Sequence, residues 1–336
     1  RAGERASSPS SPAFSSPPSA SSPSKPALSR PPSYPGAQVT ARYEILELIG
    51  AGGMGRVFRA RDPRLGRHIA LKFIRDNDPL LVGRFVKEAQ AQASIEHENI
   101  CKVYEAGEID GHPYIAMQLI EGQSLKALKH DLTIEQKVQV MRKVAEALHA
   151  AHRIGLIHRD IKPANVMVER AEDGSYRPYV MDFGLAREVG AHGHAMTEAA
   201  VGTPAYMAPE QVMGDVSRFD RRTDVHALGA TLYDLLAGKP PFGGQTTLDI
   251  MMQVVSDEPP PLRSVDPQIP VDLDTIVMKA LEKEPQQRYD SARAFAEDLG
   301  RYLDGDPIKA RPATLGYVLR KKAKKHRGVV ILASIA

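Results

Sequence analysis

A carboxylate, an ammonium group and a carboxamide stand within the six residues from Asp160 to Asn165. Asp160 could accept a proton from an attacking hydroxyl, and Lys162 could neutralise charge on a transferring phosphoryl group. Asn165 offers a neutral oxygen to a hard cation such as Mg²⁺, and Asp182, in an Asp-Phe-Gly sequence, could supply a second oxygen ligand. These residue types indicate a site that handles phosphate and a divalent cation.

A glycine-rich segment lies earlier in the chain, with glycines at 50, 52 and 55 in a G-x-G-x-x-G pattern. Glycine has no Cβ, so the backbone can approach a phosphate closely and present its N–H groups. A dinucleotide-binding fold uses the same spacing, but it requires a helix after the glycines and an acidic residue roughly 20 positions later. Here a predicted strand follows the glycines, and Ile69-Ala70-Leu71-Lys72 supplies a lysine instead of an acidic residue. A lysine suits a phosphate, whereas a ribose hydroxyl would require a carboxylate.

In their order along the chain, these segments resemble the protein kinase family. The resemblance runs from about Tyr43 to about Leu303 and includes Ala208-Pro209-Glu210 after a stretch that contains Gly and Thr. The Gly-Gly-Met-Gly loop and residues 202–210 look most like bacterial receptor-type serine/threonine kinases. The resemblance implies an α+β, bilobal protein kinase fold with a small β-rich N-lobe and a larger α-helical C-lobe. It also implies a serine/threonine protein kinase that transfers the ATP γ-phosphoryl group to protein hydroxyls.

The resemblance gives the catalytic and metal-binding residues their roles. Asp160 would be the catalytic base, with Lys162 beside it. Asn165 and Asp182 would bind Mg²⁺, with Mn²⁺ as an alternative ion.

Lys72 would bind the α and β phosphates of ATP and pair with a glutamate of a nearby helix. We choose Glu88 as this partner, because Glu96 and Glu98 lie too close to the next predicted strand.

The resemblance also implies an ATP site built from the glycine-rich loop and an apolar pocket. Met117 would guard the back of the adenine pocket, and the backbone of Gln118 and Ile120 would hydrogen-bond adenine. The complete predicted nucleotide-binding set is Ile49, Gly50, Ala51, Gly52, Gly53, Met54, Gly55, Val57, Ala70, Lys72, Met117, Gln118, Ile120 and Met167.

Four residues would have structural roles in such a domain. Asp224 resembles the aspartate that braces the catalytic loop, and Glu210 and Arg288 resemble a buried ion pair of the family. His158 would be the structural histidine of the catalytic loop rather than a metal ligand.

The Lys162-Pro163 sequence matches the serine/threonine pattern rather than that of tyrosine kinases. Thr197 and Thr203 are candidate autophosphorylation sites, with Thr197 preferred. Arg159 would receive the phosphate in a charge-assisted pair. The expected partners are protein substrates that carry Ser or Thr and, for trans-autophosphorylation, a second copy of the chain in a homodimer.

The hydrophobic pattern predicts an N-lobe over 43–120 and a C-lobe over 121–304 within a kinase domain of 43–304. Thr133 and Gln136 form a capping-box pattern that opens a helix, with an apolar face continuing to His152. A surface hairpin is expected at Ala171–Arg177. Strands are predicted at 43–49, 56–61, 67–74, 101–104 and 113–117, and helices at 82–95, 222–237, 246–255, 271–283 and 291–303.

Residues 1–40 form a Ser/Pro-rich tail, with 12 Ser and 9 Pro among the first 35 residues. Such a segment buries too little apolar surface to offset the entropy of ordering, so disorder is expected. A plain spacer is favoured over a phosphorylatable or SH3-binding tail.

The chain carries a net charge of +3, but the six Lys/Arg residues at 320–327 contribute +6, so the remainder carries −3. We interpret 305–327 as a basic juxtamembrane segment and 328–336 as the start of a truncated transmembrane helix. The kinase domain would then be cytoplasmic and anchored to a bacterial cell membrane. The alternatives are a solvated basic tail and, with no aromatic residue in the cluster, a disfavoured nucleic-acid patch.

The cysteine content excludes two kinds of structure, and the motifs leave two other functions to consider. A single cysteine among 336 residues excludes an internal disulfide framework and a Cys-rich zinc site. Two other functions stay open, namely a pseudokinase scaffold and a small-molecule phosphotransferase. The first is disfavoured because Lys72, Asp160 and Asp182 are all present, and the second because residues 202–210 resemble a peptide-docking platform.

Overall fold

The computed structural model of the chain describes residues 42–52, 55–74, 79–183 and 204–311 and positions 314 and 321, without the side chains at 79, 80, 81, 84 and 88. The Ser/Pro-rich tail, Gly53, Met54, Thr197, Thr203 and residues 322–336 lie outside the described residues.

An antiparallel five-stranded sheet forms the N-lobe. Its strands are β1 (Glu44–Gly52), β2 (Gly55–Asp62), β3 (Arg67–Ile74), β4 (Val103–Ile109) and β5 (His112–Gln118). They stand in the order β1-β2-β3-β5-β4, and helix α1 (Pro79–Ala93) connects β3 to β4. Phe58 and Phe73 meet edge to face across β2 and β3, with ring centroids 5.8 Å apart. This packing fixes β3, the strand that carries Lys72, in the middle of the sheet.

The C-lobe is mainly helical. Its helices are α2 (Leu125–Leu128), α3 (Ile134–Arg153), α4 (Pro209–Val212), α5 (Arg221–Ala237), α6 (Thr247–Ser256), α7 (Leu262–Val265), α8 (Val271–Ala280) and α9 (Ala292–Leu303). Every residue of α5 from Thr223 to Leu235 is buried, so α5 is the central helix around which α3, α8 and α9 pack. The expected arrangement of a β-rich N-lobe and an α-helical C-lobe is confirmed.

A second, three-stranded sheet lies in the C-lobe, formed by β6 (Gln123–Ser124), β7 (Val166–Arg170) and β8 (Tyr176–Val180). The predicted hairpin at Ala171–Arg177 is confirmed, because β7 and β8 pair antiparallel and their connection turns at Gly174 with φ +81°. Two segments that carry predicted site residues flank this hairpin, with Asp160 and Asn165 before β7 and Asp182 after β8.

Helix α3 begins as its sequence predicts. The Thr133 hydroxyl accepts from the Gln136 N–H at 3.2 Å, and the Gln136 side chain accepts from the Thr133 N–H at 2.9 Å. Both halves of the capping box are therefore formed, and they satisfy two backbone donors that a helix start leaves unpaired. The predicted apolar face is buried, with Met141 and Leu148 among its fully buried side chains.

The helix expected over 271–283 ends earlier, at Ala280. The Leu281 N–H bonds to two carbonyls of the preceding turn, those of Val277 and Met278, and a 3₁₀ turn at Pro285–Gln287 follows. Proline cannot donate a helical hydrogen bond, which limits how far a helix can continue toward it.

The chain after α9 packs against the C-lobe as far as Arg311. The buried Asp298 carboxylate accepts from the backbone N–H groups of Lys309 at 2.6 Å and Ala310 at 2.8 Å, and Ile308 is 2% exposed. Further on, the Lys321 ammonium lies 2.5 Å from a carboxylate oxygen of Asp272. Among the described residues, we find no helix whose length and hydropathy would let it cross a membrane.

Candidate active site

The Asp160 carboxylate lies in the loop between α3 and β7. The Lys162 ammonium contacts one carboxylate oxygen at 3.0 Å, and the Asn165 amide nitrogen donates to the same oxygen at 2.9 Å. The Asn165 nitrogen also donates to the Asp160 carbonyl at 2.7 Å. Since that nitrogen makes both contacts, the Asn165 amide oxygen remains as an acceptor for a ligand. The three predicted residues therefore form one group with an oriented carboxylate.

Lys72 and Asp182 form an ion pair between the two lobes. The Lys72 Nζ, on β3, lies 2.6 Å from the Asp182 Oδ1, which follows β8. Burial acts to raise the pKa of Asp182, but the charge of Lys72 and its hydrogen bond outweigh burial and hold the pKa below its ordinary value. Asp182 is therefore a carboxylate anion in the cleft. Its φ of +52° lies in the left-handed region, which is uncommon for a residue with a side chain.

The backbone of Met181 connects these two groups. Its N–H donates to the Asn165 carbonyl at 2.9 Å, and its carbonyl accepts from the His158 Nε2 at 2.8 Å. Because Asp182 is the next residue, the two hydrogen bonds place its carboxylate beside the loop that carries Asp160.

The fully buried Asp224 carboxylate, on α5, anchors this loop. It accepts from the backbone N–H groups of His158 and Arg159, both at 2.8 Å, and from the His152 Nε2 at 2.7 Å. Burial acts to raise the pKa of Asp224, but the hydrogen bonds from the His152 ring and from the His158 backbone help to outweigh burial, and the pKa lies below its ordinary value. Arg159 has a φ of +65°, so the anchor stabilises a backbone conformation that is uncommon outside glycine.

The hydrogen bonds of His158 define its protonation. The Asp160 N–H donates to the His158 Nδ1 at 3.2 Å, so Nδ1 is unprotonated and Nε2 carries the proton that it donates to Met181. Burial lowers the pKa of His158, which favours this neutral form. The Phe183 ring packs against the imidazole at a centroid distance of 4.6 Å and is itself buried. His158 is therefore a structural link between loops.

The described part of the glycine-rich segment lies at the facing ends of β1 and β2, where Gly52 pairs with Gly55. Gly55 has a φ of +153°, and a Cβ at this position would lie 1.8 Å from the Phe73 carbonyl oxygen, so only glycine fits. Gly50, Ala51 and Gly52 lie at the end of β1.

The apolar residues predicted for the adenine pocket largely come together. Ala70, Met117 and Ile120 are buried in one cluster, and Val57 and Met167 pack against it. Ile49 is the exception, because it lies outside this cluster and is 47% exposed.

Two backbone groups were predicted to hydrogen-bond adenine. The Gln118 N–H donates to the Lys102 carbonyl at 2.8 Å, and the Gln118 carbonyl accepts from the Cys101 thiol at 3.6 Å. A base could therefore reach Gln118 only through the second lone pair of its carbonyl oxygen. The Ile120 N–H has no hydrogen-bond partner within the part of the chain that the structure describes.

The predicted partner of Lys72 stays a prediction. Glu88 lies on α1, but its side chain is outside the described residues. The predicted pair of Glu210 and Arg288 is formed, with two contacts at 2.8 Å between side chains that are almost fully buried.

Two residues contribute to the site that the sequence did not single out for it. Gln211 accepts from the Ala208 N–H at 3.0 Å and donates to the Arg159 carbonyl at 2.9 Å, joining the Ala-Pro-Glu segment to the catalytic loop. His152 supports Asp224, although helical spacing indicated only a position on the buried face of α3. A glutamine three residues after a helix start is a signal for a cap, whereas nothing local indicated the distant partner of His152.

A model of the protein kinase domain family matches residues 43–299 of the chain. The chain therefore belongs to the protein kinase family, as its motifs suggested.

Its relatives include bacterial serine/threonine-protein kinases. The chain is 42% identical over 284 residues to the probable serine/threonine-protein kinase SCO3848 of Streptomyces coelicolor, covering 81% of this chain and 41% of that protein. It is 38% identical over 286 residues to the serine/threonine-protein kinase PknB of Mycobacterium tuberculosis, covering 82% of this chain and 45% of that protein. The chain thus spans less than half the length of these curated relatives.

Solved structures give the same family. The crystal structure of the PknI kinase domain of Mycobacterium tuberculosis is similar to this chain with a TM-score of 0.64 and 29% sequence identity. The similarity covers 81% of this chain and 100% of that one.

The anchor of the catalytic loop gives a stability prediction. In Asp224→Asn, one carboxylate oxygen becomes an NH₂ group that faces an N–H donor, so at least one buried donor loses its acceptor. We expect the free energy of unfolding in urea to fall by about 1–3 kcal/mol. Asp220→Asn is the matched control, because Asp220 caps the same helix through the Arg222 N–H and asparagine caps equally well. Equal stability of Asp224→Asn and wild type would contradict the anchoring role.

Proposed function

We propose that this chain is an active serine/threonine protein kinase that transfers the γ-phosphoryl group of ATP to Ser/Thr hydroxyls of proteins. The observation that carries the proposal is the Asp160 carboxylate, which contacts Lys162 and Asn165. The loop that carries it lies beside Asp182, which forms an ion pair with Lys72. Bacterial serine/threonine-protein kinases among the relatives support the same function.

In the proposed reaction, Asp160 receives the proton of the substrate hydroxyl. The hydroxyl oxygen forms a bond to the γ-phosphorus, the bond from that phosphorus to the β–γ bridging oxygen breaks, and ADP leaves. Lys162 lies 3.0 Å from the carboxylate and is placed to offset negative charge on the transferring group. Lys72 would bind the α and β phosphates.

The residues present fit the Mg²⁺ that the family uses, or Mn²⁺ in its place. The Asn165 amide oxygen remains for a ligand, and Asp182 is a carboxylate anion. Hard cations take such oxygen ligands, and a bound ion would offset phosphate charge in the transition state.

The adenine base would occupy the apolar cleft between the lobes. Gly50, Gly52 and Gly55 would cover the phosphates, while Val57, Ala70 and Met167 would contact the base. The closeness of Gly55 to Phe73 and the clustering of the apolar side chains support this placement.

The substrate segment would dock on the 3₁₀ turn Pro204–Tyr206 and the chain that follows it. The Tyr206 hydroxyl donates to Asp234 at 2.8 Å, and Lys129 contacts the other oxygen of that carboxylate at 3.0 Å. This fixed platform supports a protein acceptor over a small molecule, and Lys162-Pro163 supports Ser/Thr over Tyr.

Asp160→Asn tests the proposal. With labelled ATP, Mg²⁺ and a Ser/Thr-rich acceptor protein, we expect kcat to fall about 10²–10⁴-fold, because asparagine cannot accept the proton. Asp131→Asn, an exposed position after α2, should transfer phosphate as wild type does. Label should appear on phosphoserine and phosphothreonine. No transfer by wild type would support a scaffold, and transfer that survives in Asp160→Asn would contradict the assigned base.

We also propose activation by autophosphorylation on Thr197 or Thr203, which lie outside the described residues. The Arg159 Nε supports this, since it is shielded from solvent and has no hydrogen-bond partner among the described residues. A guanidinium in that situation suits a phosphate.

Mass spectrometry tests the autophosphorylation. Incubated with wild-type enzyme, the inactive Asp160→Asn chain should gain phosphate on Thr197 or Thr203, which would show transfer between copies. Fully active enzyme without phosphate on either threonine would contradict this regulation.

For localisation, we propose anchoring of a cytoplasmic kinase domain to the membrane through the C-terminal segment. The support is the sequence order of a basic cluster at 320–327 and an apolar run at 328–336.

A further inference from the structure

The linker between the lobes is held by one carboxylate of the C-lobe. It comprises residues 119–122, between β5 and β6, and would contact the adenine base. Glu169, at the outer end of β7, accepts the Glu121 N–H on its Oε1 at 3.0 Å. Its Oε2 accepts the Tyr179 hydroxyl at 2.9 Å. Both oxygens of Glu169 are therefore engaged, one by the linker backbone and one by β8.

The hydrogen bond to the Glu121 N–H also orients Ile120. The peptide bond between them is trans, so the Ile120 carbonyl points opposite to the Glu121 N–H. Fixing that N–H sets ψ of Ile120 and the direction of its carbonyl. A charged acceptor makes the stronger kind of hydrogen bond, which suits it to hold a peptide plane.

The linker packs against β7 directly at Gly122. A Cβ at this position would lie 2.2 Å from the Val168 carbonyl oxygen, so a side chain does not fit. On the other side of the linker, the Gln118 N–H bonds to the Lys102 carbonyl. The linker is thus fixed at both ends, with Glu169 acting on its C-terminal half.

Tyr179 ties this contact to the apolar cleft. Its side chain is 5% exposed and belongs to the cluster that contains Met117 and Ile120, while its hydroxyl reaches out to Glu169. Burial raises the pKa of Tyr179, so it remains a neutral donor to the carboxylate.

The side chain of Glu121 does not explain the contact. Its carboxylate is 74% exposed and lies 3.6 Å from the Arg59 guanidinium, and such surface pairs contribute little. The backbone N–H is the group that Glu169 holds.

We propose that Glu169 is a positioning residue for nucleotide binding, which holds the Ile120–Glu121 peptide in the orientation that the adenine base requires. This inference rests on the proposed function, because it takes ATP as the ligand of the cleft. Glu169 acts through the linker backbone and does not touch the nucleotide.

The test compares four variants of the whole chain by calorimetric titration with ADP and Mg²⁺ and by steady-state kinetics. In Glu169→Ala, we expect the Kd for ADP and the KM for ATP to rise about 5- to 20-fold, with kcat within about 2-fold of wild type. This is less than the full effect of one lost charge-assisted hydrogen bond, because Glu169 acts on the nucleotide only through the linker. Glu169→Gln should restore binding to within about 3-fold, because its amide oxygen can accept the Glu121 N–H and its NH₂ can donate to Tyr179.

Glu121→Gln and Tyr179→Phe separate the two sides of the contact. Glu121→Gln should bind ADP as wild type does, because it keeps the backbone N–H. Tyr179→Phe should weaken binding less than Glu169→Ala, because it keeps the acceptor. Hydrogen exchange of the nucleotide-free chain adds a readout of the linker itself, in which Glu169→Ala should lose protection at the Glu121 amide.

Wild-type affinity and unchanged amide protection in Glu169→Ala would overturn the proposal, as would a Glu169→Gln variant as impaired as Glu169→Ala. ADP binding by a wild type that transfers no phosphate would contradict the proposed function alone. A wild type that binds no ADP would contradict both.

Discussion

The ion pair between Lys72 and Asp182 is the contact on which the site depends, because it joins a strand of the N-lobe to the loop after β8. The two groups lie 2.6 Å apart, with 12% of the Lys72 side chain and 37% of the Asp182 side chain exposed. A pair with that exposure adds little to stability. Its importance lies in placing a cation and an anion together in the cleft. A cation there could bind phosphates, and an anion could bind a divalent ion.

The position of this pair is set by groups that never face the cleft. Asp224, on the central helix, anchors the loop that carries Asp160. The Met181 backbone bonds to Asn165 and His158 of that loop, and this fixes the neighbouring Asp182 relative to it. The Glu210–Arg288 pair fixes the Ala-Pro-Glu segment in the same way. Apart from Lys72, which lies on β3, the predicted site residues are on loops that a rigid helical scaffold positions, as is common for functional residues.

Much of this architecture could be predicted from the chain alone. The capping box at Thr133 is a local signal, and the kinase motifs identify Lys72, Asp160 and Asp182 as one set although they are far apart in sequence. Contacts that depend on tertiary packing could not be predicted: His152 looks like any residue on a buried helix face, and Glu169 like a charge on a surface hairpin. The helix that ends at Ala280 rather than at 283 shows the same limit, because a turn outside the periodic pattern sets its end.

Thermal unfolding with ADP and Mg²⁺ tests whether Lys72 and Asp182 form a nucleotide-phosphate site. At an ADP concentration about 100 times Kd, bound ligand should stabilise the wild type by about 2.7 kcal/mol, and Tm should rise by several degrees. Lys72→Met should unfold near the wild-type Tm without ligand and show almost no rise with it. An equal rise in both proteins, or no rise in the wild type, would contradict a nucleotide-phosphate site at this ion pair.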